Sequence, residues 1–475
     1  MKKTICLFVL LLSSNMALAD TEALKTEAVE SIDDQSGQLI EISDKIWEYA
    51  ETALREYQSS ALLADYAEAQ GFEVTRGVAG LPTAFTARYG SGKPVIGIMG
   101  EYDALPGISQ KAVPFKEALT EGAAGQGCGH NLFGTASLGA AVAIKELIAK
   151  GELKGTIVFF GTPAEESVGG KVYMVRAGLF DDVDIALAWH PSDETRADTG
   201  STQSMVEIRV AFEGHTAHAA YDPWDGRSAL DAVELTTFAI NQMREHVKPS
   251  VRMHYVITDG GDVPNVVPAH AGLWLWLRDS THAGVNDLVE RARKIVEGAA
   301  IATETTGTFN VTAGSYEMLS NLAGARLIQK NFEWLGPVQY DESELEFARE
   351  LQKATGKDTV GMNTEAEPLD ENPGEPEGGS TDVADVSWTV PTLHLSVATA
   401  PAGVPWHAWP VVASGGMSIG HKGMLYAAKA LATTMVDLYR SDDERATIRK
   451  EWLEDKGDQV YASFLGDTPP PLPKQ

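Results

Sequence analysis

The sequence predicts an α/β fold, a mostly parallel sheet covered by helices, interrupted by a smaller α+β domain of ferredoxin-like strand order. Three observations carry this reading. Short apolar runs recur in the first part of the chain, each ending in a polar loop. Near residue 204 the pattern changes to the alternation of half-buried strands. After about residue 319 helices return, followed by one more buried strand.

In chain order, residues 21–70 read as two amphipathic helices, with Ile40, Ile42, Ile46, Trp47 and Tyr49 at helical spacing. The run Pro94 to Met99 is a buried strand that opens into the polar loop Glu101 to Pro106. Residues 132–149 form an Ala-rich helix. Thr156 to Phe160 and Asp184 to Trp189 are two further buried strands, ending at Glu165-Glu166 and at His190. In a parallel sheet covered by helices, chemistry gathers at the carboxyl ends of the strands. Residues 206–212, 228–246, 251–257, 271–278, 283–303 and 308–312 then give the order β-α-β-β-α-β. Last come an acidic loop over 364–379, a strand over 392–397, a helix over 421–438 and a Pro-rich tail, 468–475, expected to be disordered. The expected organisation is a signal peptide over 1–19, one catalytic domain from 20–203 and 319–475, and an insert over 204–318.

Lys2 and Lys3, the apolar run Ile5 to Leu12 and the small-residue site Ala17-Leu18-Ala19 are the layout of a cleavable secretory signal. The mature protein is expected to be exported, periplasmic in a host with two membranes, and no later stretch is expected to span a bilayer. With 38 basic against 67 acidic residues in 475, the formal charge is −29, which argues against nucleic-acid or anionic-membrane partners. Two cysteines cannot staple a chain of this size. Removal of the leader leaves only Cys128, and a lone thiol in an oxidising compartment calls for burial, pairing or a metal.

Cys128 and His130 flank a glycine that lets both side chains reach one cation, although a buried Cys beside a structural His reads equally well. Glu165 and Glu166 repel each other unless a cation or proton intervenes, or unless they are solvated at a helix start. His190 ends a strand, and His407 and His421 are two C-terminal candidates of which one suffices. Taken singly each has a bland reading. Together they fall on loops that converge at one sheet edge. In the insert, His215 and His218 stand near a strand end, Asn265 lies in a Pro-bounded loop, and Arg278 is suited to a substrate carboxylate.

The segments Gly100 to Pro106, Gly127 to Asn131, Pro163 to Glu166, Trp189 to Pro191, Gly214 to Ala220 and Asn265 to Pro268 occur in an order that resembles the dinuclear-metal aminoacylase/carboxypeptidase amidohydrolases. Ser380 to Trp388 and Ile419 to Lys429 resemble its aminobenzoyl-glutamate hydrolase branch, which is also close to dipeptidases acting on basic dipeptides. The resemblance implies two divalent ions, Mn²⁺ or Zn²⁺, held by Cys128, His130, Glu166, His190 and His407. It implies Glu165 as general base and Asp103 as an orienting residue, with Glu101 standing where many relatives have His. It implies that the insert is a lid and dimerisation domain whose His218 serves a neighbouring subunit, and that Asn265 and Arg278 hold the substrate carboxylate. The reaction implied is hydrolysis of an N-acyl amino acid, p-aminobenzoyl-glutamate to p-aminobenzoate and glutamate in the first place. A dipeptide or another N-acyl amino acid is the nearest alternative, and an exported solute-binding protein the alternative of another class. The partner implied is a second copy or a sister subunit. The signal peptide departs from the cytoplasmic placing expected of the aminobenzoyl-glutamate enzyme.

Overall fold

The computed structural model describes residues 2–376 and 378–473, with side chains from Asp20 onward. Two sheets organise the chain. The first has seven strands, built on the continuously apolar runs: β1 (Glu73–Arg76), β2 (Phe85–Ser91), β3 (Val95–Gly100), β4 (Gly155–Gly161), β5 (Ile185–Ser192), β6 (Arg196–Ala197) and, much later in the chain, β11 (Thr392–Ala398). Their spatial order is β1-β2-β4-β3-β5-β11-β6. The central four, β4, β3, β5 and β11, run parallel. The outer strands β1, β2 and β6 are antiparallel and were not expected from the sequence. They are short or partly exposed, and β6 has two residues, so they lack the apolar run that marked the others.

Helices cover the sheet. The N-terminal α1 (Lys2–Tyr49) and α2 (Tyr57–Ala69) pack with α3 (His130–Lys150), and the short α4 (Gly170–Arg176) follows β4. In α3, Gly134 lies so close to the end of β3 that a Cβ there would meet the Glu101 carbonyl oxygen at 2.5 Å. That contact seats the helix start directly on the strand end. By length and composition α3 would cross a bilayer, contrary to expectation, but 78% of its most apolar window is buried inside the protein. Its alanines and glycines let it lie in the core, so its hydropathy reflects burial between layers.

The second sheet contains β7 (Ser204–Glu213), β8 (Arg252–Asp259), β9 (His270–Asp279) and β10 (Thr306–Ser315). Its order is β10-β7-β9-β8, all antiparallel, with α5 (Ala229–Met243) and α6 (His282–Thr303) against one face. Entry and exit lie side by side, Met205 pairing with Ser315. The two crossings are stitched together: Ser201 Oγ donates to the Met318 carbonyl at 2.7 Å, and the Met318 N–H donates to Thr202 Oγ1 at 3.0 Å. Tyr461 and Phe464 pack on Tyr316 at this crossing, with ring centroids 5.0 and 5.2 Å away.

The remaining helices are α7 (Leu322–Leu335), α8 (Glu342–Ala354), the short α9 (Val383–Ser387) and α10 (Trp409–Gly415), α11 (Ser418–Arg440) and α12 (Asp442–Lys456). Residues 468–473 form no helix or strand, yet the Thr468 carbonyl accepts a hydrogen bond from Arg176 at 2.8 Å. The last two residues of the expected tail lie outside the described residues, as do the side chains of the leader.

Candidate active site

Three parallel strands deliver the candidate residues to one edge. β3 hands over to Glu101 and Asp103, β4 to Glu165 and Glu166, and β5 carries His190 near its end. Gly129, at φ 76°, turns the chain left-handed just before α3, so that Cys128 and His130 face the same edge. Two non-glycine residues here also adopt left-handed backbone, Ala164 at φ 61° and His407 at φ 53°. The Ala164 N–H is held by the buried Glu56 carboxylate at 3.0 Å, a support the sequence did not reveal. Burial, and then the charge of Asp103, push Glu56 up to about 8.

The donor atoms form two triplets, Cys128–His130–His190 and Cys128–Glu166–His407, the atoms of each within 4.8 Å of one another. The Cys128 sulfur belongs to both. His130 Nδ1 is 2.9 Å from Asp103 Oδ1, and His190 Nδ1 donates to the Pro191 carbonyl at 2.6 Å. Each ring is thus fixed by one nitrogen and presents Nε2 to the cluster, the usual arrangement around a bound metal. The other Asp103 oxygen accepts from the Glu166 N–H at 2.9 Å, so Asp103 orients groups from two loops.

The electrostatics call for positive charge. Burial, then Glu166, push the Cys128 thiol well up. Burial raises Glu166 to about 7, and burial together with Glu101, Glu166 and Asp382 holds Glu165 well above the carboxylate range. Burial disfavours a charged His130, but Glu101, Cys128 and Asp103 outweigh it and hold the imidazole well above its ordinary value. Burial and the charge of His130 push His190 down to about 4, which leaves its Nε2 lone pair available. Glu101 Oε2, His130 Nε2 and Glu166 Oε1 are buried without a hydrogen-bond partner. Glu101 Oε2 and His130 Nε2 lie 3.0 Å apart but at an angle unsuited to a hydrogen bond. A set of S, N and O donors with unpartnered atoms and excess negative charge fits divalent cations. Cations would favour the thiolate and the carboxylates at once.

The cluster opens into a cleft of about 980 Å³ walled by both sheets. Arg278 lines its far wall, half-buried, donating to Ser380 Oγ at 3.0 Å with its guanidinium 5.2 Å from the Trp276 ring. His218 and Asn265 do not line this cleft. They stand together at the exposed tip of the insert, bridged through the Ala219 N–H and the Asn265 carbonyl at 3.0 Å. His421 is turned away, its Nε2 2.9 Å from Asp44.

A two-sheet fold with a metal-suited cluster at the parallel strand ends is that of a metal-dependent amidohydrolase, and residues 97–339 match peptidase family M20/M25/M40. The chain belongs to this family, and its substrate is a small amide or peptide. More particularly, it is 40% identical to one of the subunits of p-aminobenzoyl-glutamate hydrolase of Escherichia coli (strain K12), over 84% of this chain and 88% of that protein. It is 28% identical to Xaa-Arg dipeptidase of Mus musculus, over 91% and 93% of the two chains. A dinuclear metal-binding M20 peptidase from Bacillus subtilis shares the fold, with TM-score 0.58 at 18% identity over 86% of this chain and 99% of that one.

Proposed function

We propose that the protein uses two divalent ions, Mn²⁺ or Zn²⁺, to hydrolyse an N-acyl amino acid, with p-aminobenzoyl-glutamate as the favoured substrate. The observation that carries this is the pair of donor triplets sharing Cys128 at the floor of a cleft that also holds Glu165 and Arg278. The kinship with the Escherichia coli hydrolase supports the choice of substrate. Cys128, His130, His190, Glu166 and His407 would hold the ions, which supply a polarised carbonyl and an acidified water when bound. Glu165 would serve as the proton carrier, taking a proton from the attacking water and giving it to the departing amine. Asp103 keeps His130 in register through Nδ1, and Arg278 offers two parallel hydrogen bonds to the substrate carboxylate.

His218 and Asn265 act on the cleft of a second chain, a copy or a sister subunit. The exposed Phe238 on α5, with Val256 and Ile257 on the edge strand β8, supports such a contact. The insert is thereby both lid and dimerisation domain. The first 19 residues direct export to the periplasm and leave after Ala19, a reading supported by their basic start and apolar run.

The test is a panel of p-aminobenzoyl-glutamate, N-acetylglutamate and dipeptides ending in Arg, assayed with Mn²⁺, Zn²⁺ or a chelator. Release of p-aminobenzoate that stops with chelator and returns with metal is expected. Tight binding of these amides without cleavage under either metal would sink the proposal.

A further inference from the structure

Glu101, the first residue after β3, is 1% exposed, and its two oxygens face different neighbours. Oε1 accepts from Lys171 Nζ at 2.6 Å. Oε2 has no hydrogen-bond partner and lies 3.0 Å from His130 Nε2, which has none either. With Glu165, these two form a third group of donor atoms within 4.8 Å of one another. Lys171, in the first turn of α4, is fully buried, and Asp382 grips it twice. Nζ donates to Asp382 Oδ1 at 2.6 Å, and the Lys171 N–H donates to Asp382 Oδ2 at 2.8 Å. The mechanism above uses none of these three residues.

Burying an ammonium is expensive, and the expense is offset only when geometry is good and every partner is placed. Asp382 alone would neutralise Lys171. A purely structural pair gives no reason for a second carboxylate, still less for one whose other oxygen is left buried and unpartnered against a metal-suited nitrogen. Pinned at Oε1, Glu101 can offer only Oε2 to the cluster, in one orientation.

We propose that Glu101 is a sixth donor, binding through Oε2 the cation held by His130, and that Lys171 is the positioning residue that keeps it there with Asp382. The inference rests on the metal-dependent reading of the same site and extends its ligand set. Lys171 draws part of the negative charge from Glu101 and keeps it apart from Asp382, so that both carboxylates stay beside the cluster without collapsing onto the ions.

The experiment loads the full chain with Co²⁺ and reads metal stoichiometry, affinity against a competing chelator, and the visible Co²⁺ spectrum. Glu101→Gln, nearly isosteric, is expected to weaken one of the two ions by about 10–100-fold and to shift the ligand-field bands, as loss of a supporting group does at such sites. Lys171→Met is expected to do the same through a displaced Glu101, Lys171→Arg to recover part of the affinity, and the double variant to be no worse than Lys171→Met. Two ions bound by Glu101→Gln with wild-type affinity and an unchanged spectrum would overturn the proposal. Should Lys171→Met fail to fold, Glu101→Gln decides alone. A wild-type chain that takes up no Co²⁺ would instead defeat the metal-dependent reading itself.

Discussion

The Cys128 sulfur belongs to both donor triplets, one completed by His130 and His190 and the other by Glu166 and His407. Replacing it disturbs both triplets, so Cys128→Ser should lose metal from both positions together, measurable by elemental analysis after dialysis. Full stoichiometry with retained activity would make Cys128 a structural residue. Glu165 differs, because Glu166 already supplies the carboxylate of the Cys128–His407 triplet. Glu165→Gln should keep the metal content and lower kcat by about 10²–10⁴-fold, the usual contribution of a proton-transfer group. A kcat near wild type would move the base elsewhere. The sequence announced these residues because each sits in a short polar motif after an apolar run. It was silent on Lys171 and Glu56: a lone Lys or Glu in sequence reads as surface, and only the folded chain shows what surrounds it.

Among the elements, the parallel strands were legible because burial on both faces leaves a continuous apolar run, as in β3 and β4. The edge strands were not. β6 pairs with β11 through only two residues, yet it helps hold a half-buried polar knot on the wall of the cleft. Just beyond it, Asp198 Oδ2 bonds His394 Nδ1 at 2.7 Å and Ser396 Oγ at 2.8 Å, both on β11, while Arg196 Nε donates to Oδ1 at 2.7 Å. Burial opposes the charge on Asp198, but His394 and Arg196 outweigh it and hold it down to about 2, below the ordinary 3.8. A lowered carboxylate stabilises the fold fully above its ordinary value, and that contribution disappears as pH falls through the folded one. The stabilisation is on the order of 2 kcal/mol. Asp198→Asn should therefore melt below wild type near neutral pH, with the gap closing between about pH 4 and pH 2. A gap independent of pH would show that the charge is not what matters.

For the whole molecule, His218 and Asn265 stand exposed on the insert and outside their own cleft, so their proposed action on a second chain is tested by mixing chains. Mixing inactive His218→Ala chains with inactive Glu165→Gln chains should restore about a quarter of wild-type activity, since half the dimers are mixed and each has one intact site. A mixture that stays dead would place His218 at its own chain's cleft or outside the reaction. Division into two sheets was legible because the periodicity changes at residue 204, whereas the stitching of the two crossings was not, since it depends on Ser and Thr hydroxyls in unpatterned loops. That stitching has a mechanical consequence. Two straps fastened edge to edge act as one strip, which bends about a single line and resists torsion and sliding. The insert is then expected to swing along one soft coordinate, and Arg278, which it carries on β9, would reach the cleft along a single arc.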